Sequence, residues 1–251
     1  MILVELREKY IPEWTRRSNR DYNWDDFNSE KYLDHNYREI DRVDAEFLED
    51  LVKFYKKEQP SGLFLEVGAG SNMYPILAAL PYADTIDVLE YGAQNIAYLQ
   101  KQREELDPDW QKWIEILREL DPDTYRAVDF QQQLQDKMIV NQGSIFDLPK
   151  EKYDNISMHS VAESLTKIPR EFRKAVRCFI DSGKPGSTLA ATFVEKSEGY
   201  DSAGLPLPAL AIEAWDAVRI FGSSMRSLRF GSTKAEIRPG SPLITVMGRK
   251  K

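Results

Sequence analysis

The stretch Leu63-Phe64-Leu65-Glu66-Val67-Gly68-Ala69-Gly70-Ser71 restricts the possible folds of this 251-residue chain more than any other. A short apolar strand runs into a turn with glycines at 68 and 70, and the pattern beyond it predicts a helix over 72–80. The segment 63–67 is read as a short buried strand. The two glycines let the backbone turn sharply and approach a ligand with no Cβ in the way. A second strand is predicted over 85–90, ending on Glu90, with a helix over 94–105 behind it. An acid at that strand end can accept both hydroxyls of a ribose, so the pair of features fits an adenosine-bearing cofactor.

The rest of the chain repeats the alternation. Strands are predicted over 137–141, 153–159 and 187–194, and helices over 170–181 and 208–221. The segments 225–230 and 243–248 have no helix between them, so they are expected to pair antiparallel as an edge. Strands alternating with helices imply right-handed crossovers and a mainly parallel sheet. The expected class is therefore α/β, a doubly wound Rossmann-like sheet with helices on both faces. One domain is expected over 1–251, with a cap over 1–40, a core over 41–251 and a helical insertion near 106–136 that carries Trp110 and Trp113. The cap segment holds Trp14, Tyr22, Trp24, Phe27, Tyr32 and Tyr37, too many aromatic residues for a disordered tail. A helix with Val43, Phe47, Leu48, Leu51 and Tyr55 at helical spacing is expected to stop near Gln59-Pro60-Ser61-Gly62.

Composition removes several classes. Lys and Arg number 34 against 41 Asp and Glu, a net charge of -7, which opposes a nucleic-acid partner needing a basic stripe. Apolar runs such as 63–67 and 76–80 are far too short to span a bilayer. The start, Met1-Ile2-Leu3-Val4-Glu5, meets charge at once, so no leader is expected. A lone Cys178 excludes a disulfide framework or a multi-thiolate zinc cluster, and two histidines leave little for a metal. The expectation is a cytoplasmic, monomeric protein acting on a small molecule, with no metal, nucleic-acid or membrane partner.

Two details select among adenosine cofactors. A dinucleotide loop wants a third glycine where this chain has Met73, and Glu66 would repel a pyrophosphate. Glu66 suits the cationic amino-acid tail of S-adenosylmethionine; its other reading is a buried hydrogen-bonding anchor for the loop. A nicotinamide-dependent dehydrogenase is the weaker alternative. His159 ends the fourth strand and Glu163 follows in the loop, so each is a candidate base, and Glu163 a candidate amine ligand. Their plainer readings are a loop-stabilising histidine and a helix cap. His35 is read as structural or near the ribose.

From about Phe27 to its end the chain resembles the nicotinamide/phenylethanolamine/indolethylamine N-methyltransferase family. Phe27-Asn28-Ser29-Glu30-Lys31-Tyr32-Leu33-Asp34-His35-Asn36-Tyr37 is similar to the family's cap motif, in which two tyrosines close over cofactor and substrate. That implicates Tyr32 and Tyr37, which would diverge by about 140° on one helix. The resemblance further implies Tyr74 beside the methionine moiety, Glu90 on the ribose, and Tyr91 and Asn95 around the adenosine. Gly143-Ser144-Ile145 stands where the family has an acid on the adenine, so Ser144 is expected to take that role, with Ile145 beside it and Asp147 as a substitute. Gly199-Tyr200 with Leu205-Pro206-Leu207 resembles the substrate-side hairpin. Phe193 stands where amine-handling members carry an acid, and Glu195, on the same side of a continuing strand, is expected to take over recognition of a cationic acceptor.

The implied activity is methyl transfer from S-adenosylmethionine, leaving S-adenosyl-L-homocysteine, to a small acceptor, most readily at nitrogen. Tyr37, His159 and Glu163 are the expected catalytic residues. Tyr32, Tyr37, Glu66, Gly68, Gly70, Tyr74, Glu90, Tyr91, Asn95, Ser144, Ile145 and His159 are expected at the cofactor, and Tyr37, Glu163, Phe193, Glu195 and Tyr200 at the acceptor. The alternatives are O- or C-methyl transfer with His159 or Glu163 as base, and a non-catalytic adenosine-cofactor-binding module.

Overall fold

A computed structural model describes residues 18–202 and 204–251; the leader reading at 1–5 and the expected packing of Trp14 fall outside these residues. After two short 3₁₀ turns, α1 (Ser29–Asn36) starts under an Asn28 cap that accepts from the Lys31 amide. The longest helix, α2 (Arg42–Glu58), is capped by Asp41 and ends as Gln59 turns left-handed at φ 46°. It buries Val43, Phe47, Leu48, Leu51, Val52, Phe54 and Tyr55, which is the apolar stripe of its sequence.

The sheet then begins: β1 (Gly62–Val67), α3 (Tyr74–Ala79), β2 (Ala83–Glu90) and α4 (Ala93–Glu104). Helix α3 starts later than its pattern predicts, because the Asn72 side chain accepts from the Tyr74 amide and Pro75 sits in the first turn. The insertion comprises α5 (Gln111–Leu120), α6 (Pro122–Tyr125) and α7 (Phe130–Lys137). Its second half is not one helix, since Asp129 caps a fresh start at Phe130.

The chain continues through β3 (Met138–Gln142), β4 (Tyr153–His159), α8 (Pro169–Ser182) and β5 (Gly183–Val194). Strand β5 starts earlier than predicted: Lys184-Pro185-Gly186 is a bulge inside it, and the pairing jumps from Tyr153↔Gly183 to Asn155↔Thr188. Next come β6 (Gly199–Ser202) and β7 (Leu205–Pro208), paired as a separate hairpin. The helix expected over 208–221 is therefore shorter, α9 (Ala214–Phe221). Pro206 and Pro208 fit an edge strand, and Glu195 Oε1 accepts from the Ala214 amide where the helix starts. Strands β8 (Met225–Arg238) and β9 (Ser241–Lys250) close the fold as a long hairpin.

The main sheet runs β3-β2-β1-β4-β5-β9-β8, parallel through β5 and antiparallel beyond it. One core lies between the sheet and α2, α3, α4 and the insertion; the other lies under α8 and α9. Alternation along β1 sends Phe64 to the first core and Leu65 and Val67 to the second, so Glu66 faces the α2 side. The same rule puts His159 on that side, opposite Met158. No helix among the described residues is long and apolar enough to cross a membrane.

Candidate active site

Strand order reverses between β1 and β4, and a cleft of about 500 Å³, including its open mouth, lies at their carboxyl ends. Gly68, Glu90, Tyr91, Asn95, Ser144, Ile145 and Val161 line it, with Asn19 and Trp24 from the N-terminal segment. Gly68 has φ +66°, and a Cβ there would lie 2.8 Å from both Val161 methyls, so any other residue would strain the turn and displace Val161. A Cβ on Gly92 would lie 2.8 Å from the Trp24 carbonyl oxygen, which is how closely the cap approaches.

Glu90 holds the loop together. Its Oε2 accepts from the Gly70 amide at 3.0 Å, and its Oε1 from the amides of Tyr91 at 2.8 Å and Gly92 at 3.1 Å. A carboxylate has about four lone-pair sites, so this orientation still leaves acceptor capacity for a hydroxyl. Asn95 is turned to the cap instead: its Oδ1 accepts from Ser29 Oγ at 2.6 Å, while Ser71 Oγ donates to the Ser29 carbonyl at 2.7 Å. Ser144 Oγ accepts from the Phe146 amide and Ile145 is buried in the second core at the cleft wall. Asp147 is exposed and outside the cleft lining, so it does not substitute for Ser144.

The cap is latched at two ends. Glu171, in the first turn of α8, accepts from Ser18 Oγ at 2.6 Å, the Asn19 amide at 3.0 Å and Thr166 Oγ1 at 2.7 Å. Asp25 accepts from the Ala93 amide at 2.8 Å, capping α4.

Beside the cleft runs a chain of aromatic rings in contact. Centroid distances are 6.4 Å for Tyr200–Tyr32, 6.1 Å for Tyr32–Tyr37, 6.0 Å for Tyr37–Tyr74, 6.1 Å for Tyr74–Phe47 and 4.8 Å for Phe47–His159. Tyr32 and Tyr37 meet despite their five-residue spacing because Tyr37 lies past the end of α1, where the helical angle no longer applies. Tyr74 is fully enclosed, stacked on Trp113 at 4.7 Å and donating to Asp44 Oδ1 at 2.8 Å.

Four titratable groups face this side. Glu66 is buried, accepts from Ser157 Oγ, and is pushed up to about 8 by burial. His159 Nε2 is 3.9 Å from Glu66 Oε2, too far to bond; burial lowers the imidazole to about 3. Glu163 is fully buried, with Oε1 accepting from the Val194 amide at 2.7 Å and Oε2 without a partner; burial raises it to about 8. Asp44 is raised to about 7, again by burial. The Tyr32 phenol is pushed up to about 12, by burial first and then by the Asp44 and Glu163 charges. Tyr200 likewise senses Tyr32, Glu163 and Glu90.

Two expected acceptor residues lie elsewhere. Phe193 is fully buried in the second core, 5.8 Å from Phe172 and 6.0 Å from Phe221. Glu195 does share its side, but that side faces α9, whose first amide it binds. His35 is exposed on α1. Sequence reasoning missed Asn19, Trp24, Glu171 and Asp44. Trp24 and Asp44 carried signals: Trp24 is one of the cap aromatics, and Asp44 sits on the apolar stripe of α2, three residues before Phe47 and four before Leu48.

Residues 16–214 match the model of the NNMT/PNMT/TEMT family. No curated protein sequence matches the chain. The fold is similar to that of N-methyltransferase NodS from Bradyrhizobium japonicum WM9, solved with S-adenosyl-L-homocysteine, at 13% identity over 87% of this chain and 90% of that one, TM-score 0.54. It is also similar to magnesium protoporphyrin IX methyltransferase ChlM from Synechocystis PCC 6803, solved with bound SAM, at 13% identity over 90% and 93%, TM-score 0.57.

Proposed function

The chain belongs to the NNMT/PNMT/TEMT family of S-adenosylmethionine-dependent methyltransferases, and from that premise we propose that it methylates a small-molecule amine with Glu163 as proton acceptor. The carrying observation is the bare, fully buried Oε2 of Glu163, in the turn that follows β4, whose charge helps raise the Tyr32 and Tyr200 phenols. The glycine turn before α3, the lined cleft and the oriented Glu90 fit an adenosine, and the buried Glu66 fits a cationic amino-acid tail. S-adenosylmethionine supplies an already activated methyl, displaced in line, so the protein has mainly to position and desolvate.

The chain's own residues divide that work. Tyr32, Tyr37 and Tyr200 exclude water and offer ring faces that tolerate a sulfonium. Glu163, ionised, pairs with the incoming ammonium, takes one proton from it, and leaves the nitrogen lone pair free to attack. A carboxyl near 8 suits that task at neutral pH, whereas an imidazole near 3 is too weak a base for either an amine or a phenol. That assigns the base to Glu163 rather than His159. A phenol or enol acceptor would use the same carboxylate, so O- or C-transfer is the second reading, distinguished by the acceptor panel.

Thermal unfolding tests the cofactor first. S-adenosyl-L-homocysteine at a hundred times its dissociation constant is expected to stabilise by about 2.7 kcal/mol, and Glu90→Ala to abolish the shift. A shift with NAD alone would overturn the reading; no shift with either ligand would favour a module without catalysis. Methyl transfer to a panel of amines and phenols then separates nitrogen from oxygen acceptors.

A further inference from the structure

The β6–β7 hairpin carries Tyr200 to the row of aromatic rings, yet its own strands give it little support. They pair with each other and not with the main sheet, and an isolated two-stranded hairpin is marginally stable at best in water. Its placement therefore depends on bonds from outside it. At its exit, the Leu210 amide donates to the Glu163 carbonyl at 2.8 Å. At its entry, the turn 197–199 is held by two cations. Lys167 Nζ donates to the Glu198 carbonyl at 2.7 Å. The Arg238 guanidinium spans two further acceptors, with Nη2 donating to Ser197 Oγ at 2.6 Å and Nη1 to the Gly199 carbonyl at 3.3 Å. Tyr200 is the next residue.

Strand register brings Arg238 to this turn. β9 runs antiparallel to β5 with Leu243 opposite Val194, the last residue of β5, so the tip of the β8–β9 hairpin overhangs the carboxyl end of the sheet, on the ligand side. The tip closes without this side chain: Arg238 pairs with Ser241 in the ladder, and the Gly240 amide donates to Glu236 Oε2 at 3.0 Å. Both bonds of the guanidinium go instead to the turn before Tyr200. Its planar fork fixes two points of that turn at once, which the single ammonium of a lysine cannot do. We propose that Arg238 is a positioning residue that holds Tyr200 against Tyr32, 6.4 Å away between ring centroids, and thereby sets the affinity for the acceptor. This rests on the reading of Tyr200 as an acceptor-side ring in amine methylation. Loss of the fork frees the entry of the hairpin while its exit stays bonded to Glu163, so the ring gains room without leaving the site.

Arg238→Met keeps the apolar stem and removes both donors, while Arg238→Lys restores one. Hydrogen exchange of the ligand-free protein, followed by mass spectrometry, reads the hairpin without any substrate. Amides over 199–202 are expected to exchange about tenfold faster in Arg238→Met, the value of one hydrogen bond, and to regain part of their protection in Arg238→Lys. The Tm is expected to stay unchanged, because the main sheet loses nothing. For the amine best methylated in the panel above, KM is expected to rise about five- to tenfold in Arg238→Met, with kcat and the dissociation constant of S-adenosyl-L-homocysteine within about twofold. In a Tyr200→Ala background the same change is expected to add little, since Arg238 acts through that ring. Unchanged exchange or unchanged KM in Arg238→Met, an equal loss of affinity for S-adenosyl-L-homocysteine, or full additivity with Tyr200→Ala would overturn the proposal. Faster exchange with no amine methylated would remove the amine reading and leave the anchoring of Tyr200 standing.

Discussion

Glu163 concentrates the residue-scale argument, because one of its oxygens is bonded and the other bare in a fully buried position. Glu163→Gln keeps the shape and the Val194 bond but removes the proton acceptor. We expect kcat to fall by about 10²–10⁴ with binding of S-adenosyl-L-homocysteine retained. With the carboxyl raised to about 8 and required in its ionised form, kcat/KM is expected to climb as pH rises toward 8 and level above it. A profile flat from pH 6 to 9 would remove Glu163 from the base role. Gly68 and Glu90 line the cleft where the sequence places them, because in this sheet class the carboxyl ends of adjacent strands open on one crevice. Asp44 was readable only as an acid breaking an apolar stripe, and its partner Tyr74 is 30 residues away.

At the scale of elements, the cap and the end of β5 make opposite cases. Three hydrogen bonds on Glu171 hold the cap's Ser18 and Asn19 and the loop's Thr166. Glu171→Gln is expected to weaken S-adenosyl-L-homocysteine about five- to tenfold, by a faster off-rate, with little change in the Tm of the free protein. Stopped-flow dissociation measures it, and an unchanged off-rate would show that the latch does not hold the ligand. Phe193 behaves as core: Phe193→Ala is expected to destabilise by about 3–5 kcal/mol in a denaturant titration. A change in KM at constant stability would instead return it to the acceptor site. The helices and strands themselves were legible from period and punctuation. Their ends shifted where a side chain at a distance decided the cap, as Glu195 does for α9.

For the whole molecule, the buried acids make stability depend on pH. Glu66 and Glu163 hold their protons to about 8 and Asp44 to about 7 in the folded state, but release them near 4 to 4.5 once exposed. The folded protein therefore binds more protons than the unfolded chain between those limits, and stability falls as pH rises through the window. His159, lowered to about 3, acts oppositely, but only up to its ordinary value near 6.5. From pH 6.5 to 8 the carboxyls act alone, so the unfolding free energy of the ligand-free protein is expected to fall by up to about 1.4 kcal/mol per pH unit for each group, seen as a falling Tm. Glu66→Gln with Glu163→Gln should flatten the slope; an unchanged slope would place the protons elsewhere.

The sequence by itself determined the alternation of elements, the glycine turn after β1, the acid ending β2 and the antiparallel closing pair. Each is a local pattern, enforced by side-chain period and by backbone conformations that few residues allow. Only the tertiary structure decided which face of β5 lies under α8 and α9, since alternation gives two sides but not the layer that covers each. It likewise decided that Glu171 meets Ser18 and that Tyr74 meets Asp44. Those contacts join residues far apart in the chain, and no local energy term encodes them.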